Sequence, residues 1–144
     1  MQRKMSVNLA KAREILSGGF TFAAFNGEAA ITDNRRGVKP LIDIIDRGET
    51  LRGFSAADKV VGKAAAFLYV LLDVSEVYAE VISRRALSVL EDNNVHAEYS
   101  GLTEAVKNRA GTGFCPMETA VLYENSPEKA LEKIRAKVCE LSAK

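Results

Sequence analysis

The hydrophobic and polar positions along the chain follow two periods, and together they predict a mixed α/β protein. Apolar residues recur every three or four positions in some segments, as in amphipathic helices, and every second position in others, as in half-buried strands. Asn26-Gly27, the strongest hairpin signal in the chain, separates the first two strands. The predicted elements are helix 7–17, strands 20–25 and 28–32, helix 40–47, helix 56–72, strand 76–82, helix 83–93, strand 95–99, and helices at 103–109, at 115–124 and from 126 onwards.

One long apolar stretch, 55–72, predicts the helix around which the rest of the chain packs. Ser55 has the chemistry of a helix cap, and Asp58 follows at the capping-box spacing of three residues. No charged residue occurs between Lys63 and Leu72, and a helix that is apolar on all sides is usually buried on all sides. The stretch is too short to cross a bilayer, which takes about 20 apolar residues. We therefore expect a buried central helix, 56–72, between a sheet and other helices.

The order of the elements predicts the architecture. The two hairpin strands are antiparallel, whereas strands 76–82 and 95–99 are joined through a helix, which favours parallel pairing with a right-handed crossover. Helices before, between and after the strands then cover both faces of the sheet. We therefore expect one domain, 1–144. It is an α/β domain, a three-layer α/β/α sandwich whose mixed sheet of four or five strands starts with an N-terminal β-hairpin.

Composition excludes several classes of function. The net charge of +1 and the lack of a basic run interleaved with aromatic residues argue against a nucleic-acid or membrane partner. No apolar run follows the basic N-terminus, as it would in a signal peptide, so a cytoplasmic location is expected. The single histidine, His96, and the two distant cysteines, Cys115 and Cys139, favour free thiols over a zinc site or a disulfide. We expect no metal and no cofactor, and we expect Cys139 to lie at the core or its boundary.

Four short stretches resemble a known family, and together they are fairly specific for it. They are residues 36–41 (RGVKPL), 58–66 (DKVVGKAAA), 77–81 (VYAEV) and 115–118 (CPME). These stretches are similar to a prokaryotic family of unknown function in the cytidine-deaminase-like superfamily, and the resemblance extends roughly from Phe20 to Tyr123. It implies a cytidine-deaminase-like fold for this chain.

The chain also departs from true deaminases in a way that bears on chemistry. Those enzymes hold zinc with His-x-Glu at the start of the central helix and Pro-Cys-x-x-Cys after the next strand. Here the corresponding stretches, 58–63 and 82–86, contain neither His nor Cys. Without these ligands no zinc-activated water can form, so we do not expect a zinc-dependent deaminase. Whether the protein is an enzyme of another kind stays open.

Cys115 is the first candidate for chemistry because it precedes Pro116 at the start of a predicted helix. A thiol in that position is activated by the positive end of the helix dipole. Glu118 would act as its proton acceptor or as a capping partner. The alternative is a thiol that is buried and only packs. Gly111 and Gly113, which precede it, would let a ligand approach the backbone.

Basic side chains predict an anion site near the same place. Lys59 and Lys63 lie one turn apart on the predicted central helix, where ammonium groups and free backbone N–H groups attract anions. In catalysis Lys63 would stabilise negative charge, and the alternative is that its side chain reaches solvent. Lys63 would also pair with Glu80 if Glu80 faces inward, whereas an outward Glu80 needs no partner. Asp58 is a ligand-binding candidate or a cap. Further ligand-binding candidates, each with a solvated or capping alternative, are Arg36, Lys39, Asn108 and Arg109.

These features predict a protein that binds a small polar or anionic ligand, including a nucleotide-like one, in the position of the deaminase pocket. Chemistry at that position would use the Cys115 thiol. Two alternatives stay open. One is a non-catalytic module that senses a ligand, and the other is a self-associating scaffold domain that forms a homo-oligomer.

Overall fold

The structure, a computed structural model, describes residues 5–107, 113 and 115–142. The strands are β1 (Phe22–Phe25), β2 (Ala30–Asp33), β3 (Ser55–Val61), β4 (Glu76–Ser83) and β5 (His96–Thr103). The helices are α1 (Val7–Leu16), α2 (Lys39–Asp46), α3 (Lys63–Leu71), α4 (Arg84–Asp92), α5 (Pro116–Ala120) and α6 (Pro127–Ser142). None of these helices is both long and apolar enough to cross a membrane.

The strands form one mixed sheet in the order β2-β1-β3-β4-β5. β1 pairs antiparallel with β2 and β3, whereas β3, β4 and β5 run parallel. The hairpin predicted at Asn26-Gly27 is confirmed. Its turn is held by Asn26 Oδ1, which accepts hydrogen bonds from the backbone N–H groups of Glu28 and Ala29. The predicted parallel pairing of strands 76–82 and 95–99 is also confirmed, since β4 pairs in parallel with β5.

Small side chains allow a helix to pack closely on one face of the sheet. Ala23, Ala57 and Tyr78 form a row across β1, β3 and β4, and they pack against Leu9 and Ala12 of α1. Neighbouring residues along each strand point to the opposite face. There a larger apolar cluster joins the sheet to α2, α3, α4 and α6.

The predicted central helix 56–72 is wrong in its first part, because Ser55–Val61 is a strand of the sheet and helix α3 begins only at Lys63. A continuous apolar run fits a fully buried strand as well as a buried helix. Here β1 and β4 pair with both edges of β3, and Gly62 separates the strand from the helix. Ser55 is not a helix cap, since its hydroxyl donates to Glu76 Oε2 at 2.7 Å. The part that is helical, α3, is buried and contacts β3 and four other helices, as expected of a central helix.

Three smaller predictions also differ from the structure. The helix expected from residue 103 does not begin there, because β5 runs through Thr103, and residues 108–112 lie outside the described residues. α5 ends at Ala120 rather than near Glu124. On α6, Cys139 is exposed and not at the core.

Candidate functional site

A cleft of about 830 Å³ opens at the carboxyl end of β3. Its walls come from the start of β1, the loop before α2, the first turns of α2 and α3, and α5. Ligands in open α/β sheets bind outside the carboxyl ends of the parallel strands, so the position is typical of a binding site. The apolar side chains that line it are Phe22, Val38, Pro40, Leu41, Val60, Ala64, Ala65, Val106, Pro116, Met117 and Leu141.

Basic side chains also line the cleft, and they differ in how far their charge is already neutralised. The four are Arg35, Arg36, Lys59 and Lys107. Arg35 forms ion pairs with Asp33 and Asp43. Lys59 pairs with Glu80, with 3.2 Å between Nζ and Oε1. The expected Lys63–Glu80 pair is therefore wrong, because Lys59 and Glu80 lie next to each other on adjacent strands.

Arg36 and Lys107 differ from the other two basic side chains of the cleft in having no ion-pair partner among the described residues. Both are exposed and both line the cleft. Within the part of the chain that the structure describes, neither forms an ion pair. Arg36 was predicted from the sequence, whereas Lys107 was not, because a single lysine after a strand carries no local signal.

Asp58 lines the cleft from the middle of β3, and Tyr69 of α3 holds it in place. Tyr69 Oη donates to Asp58 Oδ2 at 2.7 Å. Burial raises the pKa of Asp58 to about 7, although the Tyr69 hydroxyl and the backbone N–H groups of Val60 and Lys59 act to lower it. The pKa of Tyr69 is raised well above its ordinary value, first by its own burial and then by Asp58. A carboxyl group with a pKa near neutral pH in a cleft is typical of functional sites.

Glu118 of α5 extends across the cleft, and its side chain caps the start of α3. Its two carboxylate oxygens accept hydrogen bonds from the backbone N–H groups of Lys63 (2.8 Å) and Ala64 (3.0 Å). These are two of the donors that a helix leaves unsatisfied at its first turn, and a carboxylate there is also favoured by the helix dipole. Gly62 makes the contact feasible, because a Cβ at that position would lie 2.6 Å from the Glu118 carboxyl carbon.

Lys63 points away from the cleft. The residue is only 8% exposed. Its Nζ donates to the carbonyl oxygen of Leu122 at 2.9 Å and lies over the Phe67 ring. Burial lowers the pKa of the ammonium group, and the nearby charge of Arg85 lowers it further. The side chain therefore ties the segment after α5 to the start of α3.

Cys115 lies at the start of α5, as predicted, and lines the cleft as a half-buried residue. Its backbone N–H donates to the carbonyl oxygen of Val106 at 3.0 Å. The contact joins the start of α5 to the residues that follow β5. The thiol therefore lies on a wall that a bound ligand would touch.

The cleft brings together five of the sequence-predicted site residues: Arg36, Asp58, Lys59, Cys115 and Glu118. Lys39, Lys63 and Gly113 do not line it, and Asn108, Arg109 and Gly111 lie outside the described residues. The catalytic roles proposed for Glu118 and Lys63 stay predictions, but the contacts of both residues stabilise the fold. Sequence reasoning missed Tyr69, whose spacing from Asp58 carries meaning only once the strand and helix are known.

The described residues contain no group of three or more His, Cys, Asp or Glu side chains arranged to hold a metal ion. Four basic side chains but only two carboxyl groups line the cleft, so it is better suited to an anion than to a cation.

Comparisons with known proteins give a family and a fold. A family model for a domain of unknown function, DUF1893, matches residues 11–138. The structure is similar to the crystal structure of a DUF1893 family protein, TM1506, from Thermotoga maritima, with a TM-score of 0.82 and 28% sequence identity over 95% of this chain and 92% of that chain. No curated protein matches the chain. The expected resemblance to a prokaryotic family of unknown function is confirmed.

Proposed function

This chain belongs to the DUF1893 family, and we propose that it binds a small organic anion with an apolar body in the cleft at the end of β3. The observation that carries the proposal is the combination of an apolar wall with two cations, Arg36 and Lys107, that make no ion pair among the described residues. Small-molecule sites are mostly apolar and carry a few well-placed polar groups. A nucleotide-like ligand is one member of this class.

The contacts of Glu118 and Lys63 favour binding without covalent chemistry. A general base needs a carboxylate that can accept a proton from the reacting group. Both oxygens of Glu118 instead accept backbone N–H groups of α3, and Lys63 Nζ faces Leu122. These contacts therefore favour a protein that senses a ligand without catalysing a reaction, one of the alternatives that the sequence leaves open.

The two cysteines provide a test that needs no knowledge of the natural ligand. Iodoacetate and iodoacetamide alkylate the same thiols, but only iodoacetate is an anion. We expect the ratio of their rates to be higher at Cys115, in the cleft, than at the exposed Cys139 by roughly threefold or more, since a nearby charge contributes about 1 kcal/mol even in water. Mass spectrometry after digestion measures both sites in one sample.

Arg36→Ala and Lys107→Ala should each lower the ratio at Cys115 and leave Cys139 unchanged. Lys39→Ala is the matched control, because Lys39 is exposed nearby but does not line the cleft. Equal ratios at the two cysteines, with no effect of Arg36→Ala, would contradict an anion-binding cleft.

Thiol chemistry at Cys115 is a second candidate, because the residue lines the cleft and is half-buried. We expect iodoacetamide to react faster with Cys115 than with Cys139 at neutral pH, and the difference to vanish when the protein is unfolded. A Cys115 that reacts more slowly than Cys139 across the pH range would count against this candidate and leave anion binding untouched.

We also propose that the fold is a three-layer α/β/α sandwich of the cytidine-deaminase-like type. The sheet order β2-β1-β3-β4-β5, the antiparallel hairpin and the parallel strands that follow support it. The two apolar clusters also support this fold: one packs α1 against one face of the sheet, and the other packs α2, α3, α4 and α6 against the opposite face. In this proposal the Glu118 carboxylate takes the place at the start of the central helix where a deaminase would hold zinc.

Self-association stays a prediction of its own. Tyr99 and Leu102 are large apolar residues that lie exposed on the edge strand β5, and edge strands can pair with a second copy. Light scattering during size-exclusion chromatography would measure the mass. If the protein forms a dimer through β5, Tyr99→Lys should convert it to a monomer; if it is a monomer at all concentrations, this prediction is wrong.

A further inference from the structure

A polar pair at the edge of the cleft, Asp58 and Tyr69, is not explained by anion binding alone. Asp58 lines the cleft, with Phe22 beside it on β1 and Ala79 beside it on β4. Its Oδ2 accepts the hydrogen bond from Tyr69, which is fully buried within α3. An acidic side chain is thus fixed among apolar groups in a site whose other features attract negative charge.

We propose that Asp58 contacts the ligand as a neutral carboxylic acid and donates a hydrogen bond to an acceptor oxygen, such as a carbonyl, in the ligand's apolar body. The inference rests on the proposed function and extends it by naming a second ligand group. The ligand then has an ionised group near Arg36 and Lys107 and a hydrogen-bond acceptor in its apolar part. Affinity falls as pH rises through neutrality.

The geometry favours a donor at this position. The Tyr69 hydroxyl donates to Oδ2, so in the neutral acid the proton belongs on Oδ1, the oxygen that this bond does not use. A carboxylic acid has one O–H donor, whereas a carboxylate only accepts. An ionised Asp58 would therefore repel both the acceptor oxygen and the ligand's charge.

Burial, and not a neighbouring charge, is the main cause of the raised pKa of Asp58. Burial raises its pKa to about 7, and no charged neighbour is among the causes of the shift. Lys59 on the same strand is paired with Glu80 of β4, and Glu118 is bound to the start of α3. The other titratable groups that face the cleft are Arg35 and Arg36 before α2, Lys107 after β5 and Cys115 of α5, while Lys63 of α3 turns towards Leu122.

Two probes that differ only in the acceptor test the inference. 4-Acetylbenzenesulfonate has an anionic group, a ring and a carbonyl, and 4-ethylbenzenesulfonate lacks the carbonyl. The sulfonate stays ionised throughout, so any pH dependence comes from the protein. With Asp58 titrating near pH 7, titration calorimetry should show the acetyl probe binding roughly thirtyfold more weakly at pH 8.5 than at pH 6, because only the protonated fraction binds well. The ethyl probe should change by no more than roughly fivefold, which corresponds to the ~1 kcal/mol that one added charge contributes in water.

Variants of the pair make the assignment specific. Asp58→Asn keeps an acceptor for Tyr69 and an N–H donor for the ligand, so the pH dependence of the acetyl probe should disappear. Tyr69→Phe removes a hydrogen bond that lowers the pKa of Asp58. The midpoint of the pH dependence of acetyl-probe binding should therefore move to higher pH. Carbon-13 NMR of the Asp58 carboxyl in the unaltered protein provides the midpoint directly, even if a variant fails to fold.

The outcomes separate this inference from the proposed function. If both probes bind equally at all pH values and the Asp58 carboxyl titrates near 4, the inference is overturned and anion binding survives. If neither probe binds at any pH and Cys115 shows no preference for iodoacetate, the proposed function fails as well. If the Asp58 carboxyl titrates with a midpoint near pH 7 and the affinity for the acetyl probe no longer depends on pH in Asp58→Asn, both the inference and the proposed function are supported.

Discussion

Two carboxyl side chains that line one cleft, Asp58 and Glu118, have different roles. Both carboxylate oxygens of Glu118 accept hydrogen bonds from the backbone N–H groups at the start of α3. Asp58 accepts a side-chain hydrogen bond from Tyr69 and has Phe22 and Ala79 beside it on the neighbouring strands. The first carboxylate is stabilised by the fold, and the second is kept near its titration point by burial. The hydrogen-bond partners of an acid, more than its position in a cleft, therefore decide whether it is available to a ligand.

The largest effect that would test this comparison is the loss of the Glu118 contact. Glu118→Ala leaves two N–H groups at the start of α3 without their charged acceptor, and hydrogen bonds to charged groups contribute about 1.5–3 kcal/mol each. We expect the free energy of unfolding to fall by about 3 kcal/mol, with water recovering part of the two bonds. Urea unfolding followed by circular dichroism measures it. A loss below about 0.5 kcal/mol, the scale of ordinary surface substitutions, would mean that the contact is incidental.

Gly62 provides the control for that prediction. Gly62→Ala places a methyl group against the Glu118 carboxylate and should cost about 1–2 kcal/mol, because at least one of the two hydrogen bonds must break. In a Glu118→Ala background the same change should cost almost nothing. The two substitutions are therefore expected to be strongly non-additive, and additive costs would show that Gly62 is needed for another reason.

The stability of the protein should depend on pH through Asp58. The pKa of Asp58 is about 7 in the folded protein and 3.8 is its ordinary value, so the folded state binds a proton that the unfolded chain releases. Stability therefore falls as pH rises from about 4 to about 7 and levels off above about 8. Between pH 5.5 and 8.5 the unaltered protein should lose about 2 kcal/mol more than Asp58→Asn loses.

Asp73→Asn is the matched control for this pH dependence. Asp73 is 60% exposed and forms a surface ion pair with Arg52, and such pairs contribute at most about 1 kcal/mol. Its removal should leave the pH profile close to that of the unaltered protein. If Asp58→Asn and Asp73→Asn give the same profile, the Asp58 carboxyl is solvated and the contrast with Glu118 is lost.

Local signals in the sequence were enough for the elements that carry their own caps and turns. The helix predicted over 83–93 corresponds to α4, and Ser83 Oγ caps its start by accepting the backbone N–H of Ala86 at 3.1 Å. The Asn26-Gly27 turn was likewise correct. Both depend on interactions within three residues, which a sequence pattern records directly.

The site was harder to predict because its contacts join distant residues. Asp58 was assigned to a helix because apolar runs of strand and helix look alike, and only pairing with β1 and β4 decides between them. Glu118 meets Lys63 across 55 residues of sequence. No periodicity encodes such a contact, and the room that Gly62 leaves for it becomes visible only in three dimensions.

The smallest expected effect concerns Lys63, which the sequence placed in the anion site. Lys63→Met removes a hydrogen bond to the Leu122 carbonyl, but it also removes the cost of burying an ammonium group, a cost reflected in the lowered pKa. These effects oppose each other, so we expect stability to change by less than about 1 kcal/mol. Affinity for 4-ethylbenzenesulfonate should be unchanged, whereas Arg36→Ala should weaken it. If Lys63→Met abolished binding while the protein stayed folded, the anion would be bound at the start of α3. The Glu118 carboxylate would then have to leave the backbone N–H groups there when the ligand binds.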